Sequence, residues 1–133
     1  MLSASGRELY VLNRDSNNIA VIDTSKQQVI ANILVGKGPE RAALSSDGQT
    51  LVYTLRNERR VAFADTKTRR QTDYFLVPSD PIACSITNDG QTILVSTASG
   101  VIYTASMSTK KITGEIKTPQ GASPGPVFEL PAQ

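Results

Sequence analysis

The sequence predicts an all-β fold assembled from repeated antiparallel sheets, on three observations. Three stretches echo one another: Gly6-Arg7-Glu8-Leu9-Tyr10-Val11, Asp47-Gly48-Gln49-Thr50-Leu51-Val52-Tyr53 and Asp89-Gly90-Gln91-Thr92-Ile93-Leu94-Val95, with glycines 42 residues apart. Two further landmarks, Asp23-Thr24 with Asp65-Thr66 and Pro39 with Pro81, share that offset of 42. Between the landmarks, apolar and polar residues alternate in the two-residue period of strands.

Each element follows from this alternation and from the turn residues that interrupt it. The first unit predicts strands over residues 9–13, 19–23 and 29–35. The second predicts strands over 41–45, 50–55, 61–65 and 71–77, and the third over 82–87, 92–97, 101–105 and 111–117. Turn chemistry separates them in Asp15-Ser16-Asn17-Asn18, Asp47-Gly48, Asp89-Gly90 and Ser99-Gly100. The third unit departs from the period. Val61 maps to Val101 and Phe63 to Tyr103 at an offset of 40, which predicts a turn shortened by two residues, and Ser106-Met107 replaces the Asp-Thr landmark.

Four short strands per unit of this length is the period of a β-propeller blade. The expected fold is all-β, with about three blades of four antiparallel strands in an incomplete or open ring. Residues 6–46 hold strands b to d of a first blade and the next strand a. Residues 47–88 repeat that content, and 89–118 hold strands b to d of a third blade. Residues 119–133 form a Pro/Gly-rich tail in which Val127-Phe128-Glu129-Leu130 offers one more short strand. The segments Ala42-Ala43-Leu44-Ser45 and Ile82-Ala83-Cys84-Ser85 are rich in small residues. Small side chains suit the innermost strand, where space narrows toward the axis.

Composition removes several kinds of chemistry. Hydrophobic residues make up 39% of the chain, which argues against disorder. There is no histidine, so the commonest metal ligand and the commonest general base are both missing. The one cysteine, Cys84, can form neither an intrachain disulfide nor a thiolate zinc site, and its apolar setting reads as core. No cofactor or metal is expected. Fourteen basic against 12 acidic residues give a net charge of +2, too small to indicate nucleic acid. The basic pairs Arg69-Arg70 and Lys110-Lys111 lack interleaved aromatic residues for base stacking. No apolar run is long enough to span a bilayer, and Met1 to Gly6 does not read as a signal peptide.

The units resemble the YVTN β-propeller repeat. Tyr10-Val11-Leu12-Asn13 stands where that family writes Tyr-Val-Thr-Asn, and Val21-Ile22-Asp23-Thr24 where it writes Val-Ile-Asp-Thr. Val35-Gly36-Lys37-Gly38-Pro39 matches its Gly-Pro corner, and Ser45-Ser46-Asp47-Gly48 its Ser-Pro-Asp-Gly turn with a serine for the proline. The resemblance implies a scaffold found in periplasmic, cell-surface or secreted proteins. Related propellers carry haem d1, serve quinoprotein dehydrogenases or hydrolyse sugar lactones. None of those sites maps residue by residue onto this sequence.

In a propeller, the d–a and b–c connections share one face, around the mouth of the central channel. Arg14, Arg41, Arg56 and Arg59 are expected to gather there, with Asn13 and Asn57 beside them and Asp15, Glu40 and Glu58 as counterions. Arginine forks bind carboxylate and phosphate, so these six residues, Asn13, Arg14, Arg41, Arg56, Asn57 and Arg59, make a candidate site for a protein partner or a small anionic ligand. Solvated turn charges are the competing explanation of the same residues. Asp23 and Asp65 sit in separate blades, and each more simply caps the turn that follows it. The expected function is a non-catalytic scaffold or binding module. The alternative is a piece of a propeller enzyme, of haem, quinoprotein or lactone-hydrolase type, whose catalytic residues lie elsewhere.

Three blades do not close a ring. The chain is therefore expected either to be part of a longer propeller or to complete a ring with other copies. The first blade lacks a strand a in this reading, so its edge over residues 9–13 is expected to be unpaired and to invite self-association.

Overall fold

Glycines at positive φ begin each unit: Gly6, Gly48 and Gly90 have φ of 73°, 73° and 75°. Each closes a tight turn that a side chain would strain, and strand b follows directly. The computed structural model describes residues 1–118, which form eleven strands and no α-helix. No helix among them is long and apolar enough to cross a membrane. The first sheet contains β1 (Glu8–Asn13), β2 (Asn18–Asp23) and β3 (Gln28–Leu34). The second is β4 (Pro39–Leu44), β5 (Thr50–Leu55), β6 (Arg60–Asp65) and β7 (Arg70–Leu76). The third is β8 (Pro81–Ile86), β9 (Thr92–Thr97), β10 (Val101–Ser106) and β11 (Ile112–Lys117).

Every strand is antiparallel to its sequence neighbour within the sheet, in the spatial order β1-β2-β3, β4-β5-β6-β7 and β8-β9-β10-β11. These are propeller blades with strands a to d in chain order, and the ring is not closed. The expected all-β blade fold is thus the observed one. The possible extra strand at 127–130 lies outside the described residues.

The middle blade is buried on both sides. Along β5 the side chains of Leu51, Tyr53 and Leu55 face blade 1, joining Tyr10, Ile19, Val21 and Ile33 in one core cluster. Their neighbour Val52 faces blade 3, with Val61, Phe63, Phe75, Cys84, Ile93, Val95, Tyr103 and Ala105. Residues 51–55 and 61–64 are all buried, so these two strands read as nearly continuous apolar runs. At one rim of the first interface Arg69, in the c–d turn of blade 2, donates both arms of its guanidinium to Glu8 of blade 1. That pairing holds the Glu8 carboxyl below its usual range, against the opposing pull of burial.

Two expectations need correction. The first concerns blade 3, where the shortened turn has lost one residue, not two. Val95 pairs with Tyr103 as Tyr53 pairs with Ala62, so β10 is offset from β6 by 41. Matching Val101 and Tyr103 to Val61 and Phe63 by residue type slides the register by one, and a one-residue slip moves every side chain to the other face. Tyr103 takes the position of Ala62, facing blade 2, and packs into the cluster that holds Phe63.

The second concerns the edge of blade 1, which is not bare. Leu2 bridges Leu9, the Ser3 N–H donates to Glu8 O at 2.8 Å, and the Tyr10 N–H donates to Met1 O at 2.7 Å. Met1 to Ser3 thus form a short stub in the position of strand a. Ser3, Ser5 and Gly6 repeat the turn of Ser45, Asp47 and Gly48. Ser3 Oγ accepts from Glu8 N at 3.1 Å as Ser45 Oγ accepts from Thr50 N at 3.0 Å. Ser5 Oγ accepts from Arg7 N at 3.3 Å where Asp47 Oδ1 accepts from Gln49 N at 2.9 Å. The missing aspartate hid this turn from the sequence pattern.

The stacking interface sets an expectation for stability. Phe63 is fully buried between blades 2 and 3, its ring 6.0 Å from that of Phe75. Phe63→Ala is expected to destabilise the fold by about 3–5 kcal/mol in urea titration, the range for deleting a core aromatic ring. A loss below about 1 kcal/mol would show that the interface repacks or contributes little.

Candidate functional site

Polar residues of the two propeller faces do different work. On the face of the a–b and c–d turns, aspartates, serines and threonines hold the blade together. Asp23 Oδ1 accepts from Ser25 N, Ser25 Oγ and Lys26 N, at 2.9, 2.6 and 2.9 Å. Asp65 Oδ1 accepts from Lys67 N and Thr68 N, both at 2.8 Å. These hydrogen bonds hold both carboxyls below the usual carboxylate range. The adjoining threonines reach across to the other turn: Thr24 Oγ1 donates to Gly6 O and Thr66 Oγ1 to Gly48 O, each at 2.8 Å. The Asp-Thr landmark is therefore a cross-brace, with the aspartate capping one turn and the threonine tying it to the next. In blade 3, Met107 keeps only the backbone bond, donating its N–H to Gln91 O at 2.9 Å. A shallow depression lies at that place, lined by Gly90, Gln91, Ser106, Met107 and Ser108.

The opposite face carries the candidate site. There the d–a connections are laced to the b–c turns. The Arg56 N–H donates to Gly38 O at 3.1 Å, the Lys37 N–H to Glu58 Oε1 at 2.8 Å, and the Gly38 N–H to Asn17 Oδ1 at 3.2 Å. This lacing fixes the arginines. Arg14 and Arg56 both approach Glu40 Oε1, at 2.9 and 3.7 Å. Arg56 and Arg59 both approach Asp80, at 4.0 and 3.1 Å. The result is a row that crosses from blade 1 to blade 3: Arg14, Glu40, Arg56, Asp80, Arg59.

Glu40 lies underneath its arginines and Asp80 is open to solvent beside them. The Glu40 side chain is 11% exposed and that of Asp80 39%, whereas those of Arg14, Arg56 and Arg59 are 60%, 43% and 63% exposed. Over Glu40 the guanidinium groups thus form the outer surface of the row, and each arginine has N–H donors beyond those used on the carboxylates.

The other residues singled out from the sequence fall around the row. Asn57 is exposed and lies over Gly38. Asn13 donates Nδ2 to Asn18 Oδ1 at 2.8 Å, closing the base of the turn that carries Arg14. Arg41 is exposed, and its Nη1 turns back onto Glu40 O at 3.3 Å. Its guanidinium stands apart from the ion-paired row. Of the expected counterions, Glu40 serves that role, while Glu58 pairs with Arg60 at 3.5 Å. Asp15 forms no ion pair among the described residues. Asp80 takes its place, and the sequence reading missed it. The Asp80-Pro81 corner at the end of the second d–a connection was the available signal. Arg60 was also missed as a structural group: its guanidinium sits 4.1 Å from the centre of the Tyr74 ring.

No group of three or more His, Cys, Asp or Glu side chains suited to a metal ion occurs among the described residues. Cys84 is buried against blade 2, its thiol donating to Val52 O at 3.5 Å.

Comparisons with known proteins bear on the fold. No protein-family profile matches the sequence, and no curated protein matches it. Solved structures do. Hydrazine synthase from Kuenenia stuttgartiensis matches with a TM-score of 0.87 and 21% identity, over 94% of this chain and 36% of that one. The structure of U3-55K matches with a TM-score of 0.81 and 9% identity, over 90% of this chain and 38% of that one. The WD40 repeats of RRP9 match with a TM-score of 0.81 and 9% identity over the same shares. The chain therefore spans well under half the length of these propeller-type proteins. The likeness extends to the blades, in an enzyme and in WD40 proteins alike.

Burial pushes the Cys84 thiol up to about 12. The native protein is expected to react with Ellman's reagent at pH 8 only as fast as the fold opens, and rapidly once urea has unfolded it. Fast labelling of the native protein would contradict the placement of Cys84.

Proposed function

We propose that this chain is a binding segment of a YVTN-type propeller, without chemistry of its own, and that the arginine row recognises an acidic partner. One observation carries the reading. Arg14, Arg56 and Arg59 are pinned by two shared carboxylates while their guanidinium groups face solvent. A fork held in place loses little side-chain freedom when it engages a carboxylate or phosphate, so the site is pre-organised for an anion. The YVTN assignment is supported by the braces formed by Asp23-Thr24 and Asp65-Thr66, which give that sequence signature a structural role. By the same resemblance, the protein acts in the periplasm or outside the cell. The row runs across all three blades, which favours a protein surface bearing carboxylates over a small ion.

A second reading is favoured by one finding. Hydrazine synthase, an enzyme by name, contains a region similar to 94% of this chain. On that reading these blades are the scaffold part of a larger enzyme whose reacting groups lie in other blades. The two readings separate on a longer product of the same gene: further blades carrying histidines would favour the enzyme.

The binding test uses a hexaglutamate peptide and inorganic phosphate as probes, followed by calorimetry at low salt. The Arg14→Ala, Arg59→Ala double variant removes two arginines of the row and leaves Arg56 beside both Glu40 and Asp80, so its stability is expected to change by less than about 2 kcal/mol. Its affinity for the peptide is expected to fall at least about tenfold, as for loss of a charge-assisted bidentate contact. Equal binding by variant and parent would remove the site. Phosphate binding that matches the peptide would point to a small anion as the ligand.

A further inference from the structure

Blades stack through the faces of their sheets, so a neighbouring blade does not cover the outer edge of strand d. β3, β7 and β11 are those outer strands. Their edges differ in charge. β7 carries Arg70 and Asp73, and Asp73 Oδ1 also accepts from the Tyr74 N–H at 2.8 Å. β11 carries Glu115 and Lys117. Charged side chains and capped donors keep an edge from pairing with another chain. β3 reads Gln-Val-Ile-Ala-Asn-Ile-Leu and has no charged residue.

β3 also leaves backbone groups free. The Val35 N–H donates to Asn17 O at 3.2 Å, which makes these two residues a bonded pair. Bonded and non-bonded pairs alternate in an antiparallel ladder. Ile33 and Ala31 therefore bond to β2, and the N–H and C=O groups of Asn32 and Leu34 point away from it. Those outward groups have no partner among the described residues.

Beside this edge lies an apolar wall. β3 and β7 come within 8 Å of each other between Cα atoms. Tyr74 pairs with Ala62 and Leu76 with Arg60, on the side of the sheet that faces blade 1. They are 44% and 62% exposed although blade 1 is in place. Ile30, at the bulge of β3 opposite Val21 and Ile22, is 47% exposed. The Arg60 guanidinium lies over the Tyr74 ring, and its one carboxylate partner among the described residues is Glu58 at 3.5 Å. It has donors left for a second carboxylate.

We propose that the outer edge of β3 takes up an extended segment of a partner protein as a further strand of blade 1. The occupant is a strand because donors and acceptors that recur at every second residue are satisfied together by extended backbone. Side chains on one face of that strand lie toward Tyr74 and Leu76, so alternate positions of the segment are apolar. Leu34 and Leu76 hold equivalent places in their blades, which puts Arg60 at the Leu34 end of the edge. A carboxylate at that end of the segment meets the guanidinium. None of these residues belongs to the arginine row.

Fluorescence anisotropy tests this with a labelled, capped peptide that alternates valine and threonine and ends in glutamate, titrated with the full chain. Saturable binding is expected. Only one edge of an added strand faces β3. Two peptides are therefore compared, one N-methylated on its valines and the other on its threonines. One is expected to bind as before and the other at least about tenfold more weakly. Asn32→Pro removes an outward N–H that makes no bond in the fold, a place where an edge strand tolerates proline, and is expected to weaken binding at least about tenfold. Leu34→Lys, at a residue 77% exposed, replaces it if circular dichroism shows the proline variant unfolded. No saturable binding by the parent chain would overturn the proposal. So would equal affinities of the two methylated peptides, or a folded variant that binds as the parent does. Self-association of the chain that the same variant abolishes, without peptide binding, would overturn it in favour of a second copy as the occupant.

Discussion

Two-sided burial of the middle blade is the constraint on which the rest of the structure depends. A single four-stranded sheet has two faces and little interior, and its strands cannot form a core alone. Among the described residues only blade 2 has both faces covered. Leu51, Tyr53 and Leu55 point one way along β5, and Val52 points the other. Each fully buried side chain of this size contributes about 1.5–3 kcal/mol, and two clusters of them lock three sheets into a stack. The ion pair of Arg69 with Glu8 marks the first junction, whereas the second has Lys110 over the Phe63 ring at 5.4 Å. The rims therefore vary while the apolar interiors do not.

Once the sheets are stacked, the turns have to be held without a core beneath them. Short hydrogen-bonded braces do this on one face, where Ser45 and Thr87 bind Asp47 and Asp89, and Thr24 and Thr66 reach the glycine carbonyls. Those groups are committed, and their carboxyls are held in the charged form. On the other face the connections are as short or shorter, and they are tied through Glu58, Asn17 and the backbone of Gly38. That arrangement leaves guanidinium groups at the surface. A division between a braced face and a presenting face follows from the side chains the turns carry, short hydroxyls and aspartates on one face and arginines on the other.

Much of this was legible in the sequence because the repeat is encoded twice, in glycine turns and in two-residue alternation. All eleven strands lie where the alternation predicts them, and Arg14, Arg56 and Arg59 share the carboxylates of Glu40 and Asp80, whereas Arg41 does not join them. What was not legible has specific causes. The stub at Met1 to Ser3 was hidden because Ser5 does the hydrogen bonding that an aspartate does in the other units. The register of β10 was misread because Val101 and Tyr103 imitate Val61 and Phe63 in type while occupying opposite faces. Asp80 escaped notice because the second d–a connection has no counterpart of Glu40 at the same offset. Which arginine meets which acid depends on how blades lean on one another, and side-chain pairing across blades leaves no periodic trace.

If stacking on both faces is what holds the chain, the middle blade must be the last part to open. Hydrogen exchange measured on the unmodified chain at low protein concentration tests this directly. The slowest backbone amides are expected in β5 and β6, exchanging only through global unfolding, with β1 to β3 and β9 to β11 opening earlier. Equal protection across the three blades, or slowest exchange in an end blade, would contradict the account.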